Sequence, residues 1–518
     1  MTRRSFTAFV LVALVGAFVI TRWIAAPGYT DVYYHFNAAN RLASGQGLTD
    51  AYVWTYIGAL DHLPMPSHLY WMPLTSVLAG VSMALFRAPG DYAIAQLPFV
   101  LMFEAMACVG YWMGGRLGGT RRHAWVAGLL TLFSGFYAKF WGAIDTFAPY
   151  ALVGSLCLVV IGIGARAQHA VPLQKRVLVW LIAGVLAGLG HLTRADGLLL
   201  LMVGGLVILW RWARRAVPLQ MALITLLALV LGYGLVMLPY FARNLNEIGT
   251  LLPLGGTQAI WFDEYNDLFN YPPDASPATL FADGLGVFIA GRREALVNNL
   301  GTFVAVEGMV ILTPLMLIGL WKRRRDGFLY PFALYALGLH LAMTFVFPFP
   351  GYRGGLLHSA AALIPFWAAL GVAGLDDAVN WVAKRRRRWN ARTAKQVFSG
   401  GLVLVGLGLT LYIGLSGRVY PQSPTLYGEL LDTLPADARI LSDDPPELYY
   451  YTGIGGAMLP NDTPETLLQI AQEYDIDYLL LKQGLDGIPA PLLPILENPP
   501  DFLTLLPFES ARLYAIQR

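Results

Sequence analysis

Residues 29–73 read YTDVYYHFNAANRLASGQGLTDAYVWTYIGALDHLPMPSHLYWMP. A stretch this rich in acid, histidine and aromatic side chains cannot lie in hydrocarbon, which excludes unpaired backbone groups and charges. It follows an apolar run at 6–26, so it must occupy a water interface or a protein cavity. An active site, if the chain has one, is expected to have its core here.

Working outward, 56% of the 518 residues are hydrophobic and only 13% are charged, which marks a polytopic membrane protein. A bilayer core takes about 20 apolar residues as helix. Such runs recur at 6–26, 92–114, 123–141, 147–165, 177–192, 197–211, 217–240, 300–321, 328–347, 355–375 and 397–416. The pattern predicts an all-α membrane domain over 1–416 with about 11 transmembrane helices, a first external loop at 27–91 and another at 241–299.

Positive charge tests this count, because cytoplasmic loops collect Lys and Arg. The clusters Arg3 and Arg4, Arg116 to Arg122, Arg166 to Arg176, Arg211 to Arg215, 322–325 and 384–395 fall on alternate loops and hold 22 of the 36 basic residues. The N-terminus is therefore expected in the cytoplasm and the C-terminus outside a plasma membrane. Counting 69–86 as a span would invert every later loop, so it is expected to be a helix lying on the membrane or re-entering it. Residues 21–27 offer no convincing cleavage site, which makes the first span an uncleaved anchor. Cys108 and Cys157 both fall within spans, leaving no disulfide framework.

The tail, 417–518, is richer in Asp, Glu and Pro and reads as a small extracytoplasmic α/β domain. Strand-like runs stand at 438–441, 478–482 and 512–517. A helix over 463–474 has Thr463 as cap, Pro464 at its first position and Glu465 in its first turn. Asp443, Asp444 and Asn461 read as turn residues.

With that topology, six separated segments bring acids and cations to the outer face. They carry Asp31, His35, Asp61, His62 and His68; Lys139 and Asp145; His191, Arg194 and Asp196; Arg243; Asp263, Glu264 and Asp267; and Arg353 with His358. Simpler readings exist for several. Asp145 in WGAIDTFAPY suits a helix cap, Arg194 with Asp196 suits a turn ion pair, and Tyr33, Tyr34, Trp54 and Trp71 suit an interfacial aromatic belt. His123, His169 and His340 receive no role. Glu104 lies mid-span, where an ionised side chain costs on the order of 3 kcal/mol, so it is expected to be buried against a partner.

Carboxylates and cations together at headgroup depth suit transfer from a lipid-phosphate donor. Arg, Lys or His holds the phosphate while a carboxylate takes the proton of the acceptor hydroxyl. A phosphate leaves as a stabilised anion, so the chemistry needs one principal base and several cations. It does not need the paired acid and base of a soluble glycosidase.

The order of TDVYYHFNAANRLASGQGL, PSHLYWMPL, IDTFAPYAL, TRADGLLLL and GYRGGLLHS over roughly residues 5–375 resembles the GT-C membrane glycosyltransferases, nearest to the protein O-mannosyltransferases and the aminoarabinose transferases acting on lipid A. The resemblance implies a GT-C type fold and a transferase of hexosyl or pentosyl groups that uses a polyprenyl-phosphate-linked sugar. Asp31 would be the catalytic base and Asp145 the second acid. Arg353, Arg194, Lys139 and Arg243 match the residues that hold the lipid phosphate. His35, Tyr34, His68 and His358 share that face as candidates for sugar or acceptor. The chain has Asp31-Val32 where the mannosyltransferases carry two adjacent acids, which weakens the case for a protein acceptor. DVYYHFNAANRL also resembles the oligosaccharyltransferase catalytic subunit, but the WWDYG signature is absent.

The implied enzyme inverts the sugar and passes it to a glycan, lipid or protein of the cell envelope. Its acids are compatible with Mg²⁺ or Mn²⁺, and with no metal at all. A transporter or lipid flippase is the alternative from another class. Against it, no two halves align as repeats, and Glu104 is the one ionisable group expected along the spans. The basic loops have a sufficient topological cause and imply no nucleic acid.

Overall fold

A computed structural model of the chain describes residues 2–166, 172–282, 284–386, 388–422, 424–482 and 487–518. His169 lies outside them. Among the described residues, nine helical stretches are long and apolar enough to cross a membrane: Arg3–Thr21, Tyr92–Gly118, Phe147–Arg166, Leu173–Thr193, Ala195–Ala213, Leu219–Ile248, Gly327–Val346, Pro348–Ala383 and Ala391–Ser416.

Two of the eleven expected spans are thus corrected to broken elements. In 123–141 the helix Arg121–Leu132 stops because Phe133 leaves helical backbone and Gly135 takes φ 60°; the short 3-10 turn Gly135–Lys139 follows. In 300–321 a π-helical turn, Thr302–Glu307, gives way to Met309 and Val310, whose φ angles of 44° and 61° are left-handed, before Thr313–Arg323 resumes. Neither break shows in hydropathy. The helix Leu74–Phe86 has 13 residues, or about 20 Å of rise, short of what a span needs.

Glycines let the helices touch. A side chain on Gly319 would meet the Leu370 carbonyl at 2.1 Å, and one on Gly374 would meet the Leu315 carbonyl at 1.9 Å. Thr313–Arg323 and Ile364–Ala383 therefore pack backbone against backbone, as small residues allow in membranes. Phe366 stacks on Phe332 at 4.7 Å beside them. Glu104 accepts from the Cys108 thiol at 3.0 Å. It is not the only acid within the expected spans: Glu307 is almost fully buried, 2.9 Å from His340 Nε2 and 2.7 Å from Trp367 Nε1, so His340 also has a partner.

The buried Gln96 joins three segments that frame the outer face. Its amide donates to the carbonyls of Thr21 (3.1 Å), Ile24 (2.7 Å) and Gly142, while Arg22 donates to its oxygen. This fixes the end of the first helix against the turn that leads into Asp145.

The tail forms most of a six-stranded sheet. Its strands are β1 (Tyr52–Val53), β2 (Arg439–Ser442), β3 (Gly455–Met458), β4 (Tyr478–Lys482), β5 (Leu503–Leu506) and β6 (Ala511–Ile516), in spatial order β1-β3-β2-β4-β6-β5. β1 to β4 run parallel, while β6 is antiparallel to both β4 and β5. β1 comes from the first loop, so the sheet joins two parts of the chain some 400 residues apart. The helix Pro464–Tyr474 starts at Thr463 as the sequence predicts, although that side chain caps nothing. Asp444 caps the helix Pro445–Thr452.

At Gly456 in β3, φ is 155° and a Cβ would stand 1.9 Å from the Ile440 carbonyl. Gly456→Ala is expected to destabilise the sheet by on the order of 3 kcal/mol. Limited proteolysis should then release the tail, whereas Gly400→Ala, in open space on a helix, should digest like the wild type.

Candidate active site

Asp31 lies in the first turn of the helix Thr30–Ala43, where the positive helix end favours a carboxylate. Asp145 precedes the helix Phe147–Arg166 and accepts the amide of the next residue, Thr146, at 2.5 Å. Its second oxygen accepts the Tyr29 hydroxyl at 2.6 Å. His358 completes the group. Its Nε2 is 4.0 Å from Asp31 Oδ2 and its Nδ1 is 3.7 Å from Asp145 Oδ1, and the ring stacks on Phe147 at 3.9 Å. One polar atom from each of Asp31, Asp145 and His358 lies within 4.8 Å of the others.

Burial, reinforced by the charge of Asp145 and opposed by Arg194, raises the Asp31 carboxyl far above its usual range. Two carboxylates and an imidazole form a mixed oxygen and nitrogen donor set that can hold a divalent ion. The imidazole suits Mn²⁺ or Zn²⁺ better than Mg²⁺.

Asp31 and His358, with Arg194 and Arg353, line a cavity of about 380 Å³, and Asp145 lies buried beside them without lining it. Arg194 reaches Asp196 at 3.0 Å and Ser359 Oγ at 2.8 Å, and Ser359 donates to the other oxygen of Asp196. The expected turn ion pair is real, and it also aims a guanidinium into the cavity. Arg353 is exposed and rests over the Tyr265 ring at 4.6 Å, leaving its charge at the mouth.

Other expected site residues stand elsewhere. Tyr34, His35 and His68 form a layer behind the wall. Tyr34 donates to Asp50 at 2.8 Å and accepts the His68 amide, while both imidazoles meet Ser76 Oγ at 3.0 Å. Burial holds His35 down at about 4, so it is neutral. Arg243 does not line the cavity. It donates to the carbonyls of Leu48 and Ser67 and so ties down the first loop. Lys139 lies over the rings of Phe136 and Phe140, away from the lining.

The aromatic residues are corrected too. Trp54 and Trp71, 4.0 Å apart, line the cavity with Tyr70, and Tyr33 bonds Tyr451 of the tail. None of these four is free to anchor in lipid headgroups. Sequence reasoning also missed Asp444, which accepts the Thr30 hydroxyl at 2.6 Å, one residue before Asp31.

No protein-family model and no curated protein sequence matches the chain. Solved structures do. Crystalline ArnT from Cupriavidus metallidurans bound to undecaprenyl phosphate has a TM-score of 0.58 at 15% identity, covering 98% of this chain and 97% of that one. The Archaeoglobus fulgidus oligosaccharyltransferase complex with zinc and sulfate has a TM-score of 0.60 at 12% identity over 91% and 67% of the two chains. The chain has the GT-C fold. The archaeal oligosaccharyltransferase AglB from the same organism, with an inhibitory peptide and a dolichol-phosphate, agrees at a TM-score of 0.54 and 12% identity over 92% and 69%. Within this GT-C fold, the cavity described above is lined by the first loop, by Gly256, Ala259 and Tyr265 of the second, by the ends of four helical stretches and by the bend before His358.

Asp50 tests the layer behind the wall. Burial pushes its carboxyl up to about 7 in the folded protein, against about 4 when unfolded. A raised carboxyl stabilises the fold at low pH and loses that contribution as pH climbs from about 4 through 7. Asp50→Asn keeps an acceptor for Tyr34 without the charge. Its melting temperature relative to wild type should therefore rise by a few degrees between pH 5 and pH 8; a constant difference would contradict this placement.

Proposed function

We propose that the chain is an inverting glycosyltransferase that moves a sugar from a polyprenyl-phosphate donor to an acceptor hydroxyl on the extracytoplasmic face of the plasma membrane. The observation that carries this reading is the grouping of Asp31, Asp145 and His358 beside a cavity that Arg194 and Arg353 also line. The undecaprenyl phosphate on ArnT and the dolichol-phosphate on AglB support a donor of that kind. The cytoplasmic N-terminus and external tail follow from the charge bias of the loops.

In this reading Asp31 takes the proton of the acceptor hydroxyl. The oxygen attacks the anomeric carbon opposite the phosphate, and the bond to the phosphate oxygen breaks with its electron pair. Arg353 and Arg194 receive the anionic lipid phosphate. A carboxylate whose proton affinity is raised by burial is a stronger base once ionised. Asp145, fixed by Tyr29 and the Thr146 amide, orients sugar or acceptor. A divalent ion held by Asp31, Asp145 and His358 would supply positive charge against the phosphate. The apolar wall of Trp54, Tyr70 and Trp71 suits the face of a sugar ring and excludes water.

A radiolabel transfer assay on membranes supplied with polyprenyl-phosphate sugars tests the assignment. Asp31→Asn is expected to lower transfer by roughly 10²–10⁴-fold with expression and insertion unchanged. Wild-type turnover in the purified variant would overturn it.

A further inference from the structure

A second cavity, of about 590 Å³, opens at the opposite end of the helices that carry the candidate active site. Two helices connect the ends. Phe147–Arg166 begins after Asp145 and finishes at Arg166, while Leu173–Thr193 begins beside Lys175 and finishes before Arg194. At 1.5 Å per residue the second helix puts about 30 Å between the two cavities.

Five cations from four segments line it. Arg116, Arg166 and Arg211 come from the last turns of their helices, and Lys175 and Arg176 from a first turn. The first three are where helix dipoles favour positive charge. The last two are where dipoles oppose it, and among the described residues no side chain caps that helix end, whose amides favour an anion. Among the described residues the cavity lining contains no acid, and the nearest recorded ion pair is Arg166 with Asp326 at 3.7 Å. The other basic loops differ: Arg122, His123 and Lys395 surround Asp376, and Arg323 bonds Asp377 at 2.7 Å.

Loop topology explains why cations gather on this side, but not why five face one hollow walled by Trp112, Trp180 and Phe328. Arg116 rests over the Phe328 ring at 5.1 Å, and Arg211 donates to the Gly164 carbonyl at 2.6 Å, so the cations stand along aromatic and apolar walls.

We propose that this cavity binds the headgroup of an anionic phospholipid of the cytoplasmic leaflet. The phosphodiester sits among Arg116, Lys175, Arg176 and Arg211 at the helix end, and the first acyl carbons lie against the tryptophans. A zwitterionic lipid brings no net charge to this cluster and is bound weakly. The site is separate from the donor cavity and does not depend on the sugar-transfer reading.

The test uses the full chain, delipidated in detergent, with native mass spectrometry and thermal melting. Added phosphatidylglycerol is expected to stay bound and raise the melting temperature, while phosphatidylcholine does neither. The double substitution Arg116→Gln with Lys175→Gln should weaken retention roughly thirtyfold without moving the lipid-free melting temperature. The lipid comparison on wild type needs no variant, so it decides even if the double substitution fails to fold. Equal retention of both lipids, or undiminished retention in a folded double variant, overturns the proposal. Displacement of the lipid by millimolar inorganic phosphate also overturns it, in favour of a soluble phosphate ligand.

Discussion

The Asp31 carboxyl has an atom within 4.8 Å of Asp145 and His358, and burial together with the charge of Asp145 opposes its ionisation. That unfavourable pairing of Asp31 with Asp145 sets the arrangement of the residues around it. Each acid is placed at or just before a helix start, where backbone amides offset part of the cost. Tyr29, Thr146, His358 and Arg194 then surround the pair. Such an arrangement survives only if the backbone cannot relax away from it. Gln96 supplies that rigidity by tying its own helix to two other segments, at Thr21 and Ile24 and at Gly142.

Much of this was legible in the sequence because topology is written in composition. Apolar length and the alternation of basic loops placed Asp31, Asp145, Arg194, Arg353 and His358 on one face; in the structure Asp31, Arg194, Arg353 and His358 line one cavity, and Asp145 is buried against Asp31 and His358. The misplacements have local causes. Tyr34 and His35 follow Asp31 by three and four residues, which on a helix means one turn deeper, behind Trp71. Arg243 serves backbone carbonyls, a role that no charge pattern reveals. The two broken spans were read as continuous because hydropathy is blind to backbone angles such as those of Met309 and Val310. Glu307 was overlooked for the same reason that it can exist: His340 and Trp367, 33 and 60 residues away, share its burden.

The two ends of the bundle divide the polar chemistry between them. Around the cavity that Asp31 lines, acids and cations are interleaved. At the opposite end, one hollow is lined by five cations and, among the described residues, by no acid, while neighbouring basic loops pair with Asp376 and Asp377. The helices Phe147–Arg166 and Leu173–Thr193 contribute to both ends, so a ligand that stiffens one end holds the same rods that carry Asp145 and Arg194.

Strand β1 has a consequence for how the molecule is born. The first loop emerges early in synthesis, yet its place beside β3 exists only after residue 458 has been made. Until then Tyr52 and Val53 have no ladder, Asn37 has no Pro446 carbonyl and Thr30 has no Asp444. Domains generally fold as the chain emerges, from the N-terminus onward, but here the segment that carries Asp31 must wait for strands made some 400 residues later. A chain halted before these strands exist keeps its helices and still lacks the contacts that hold Thr30 and Asn37 in place.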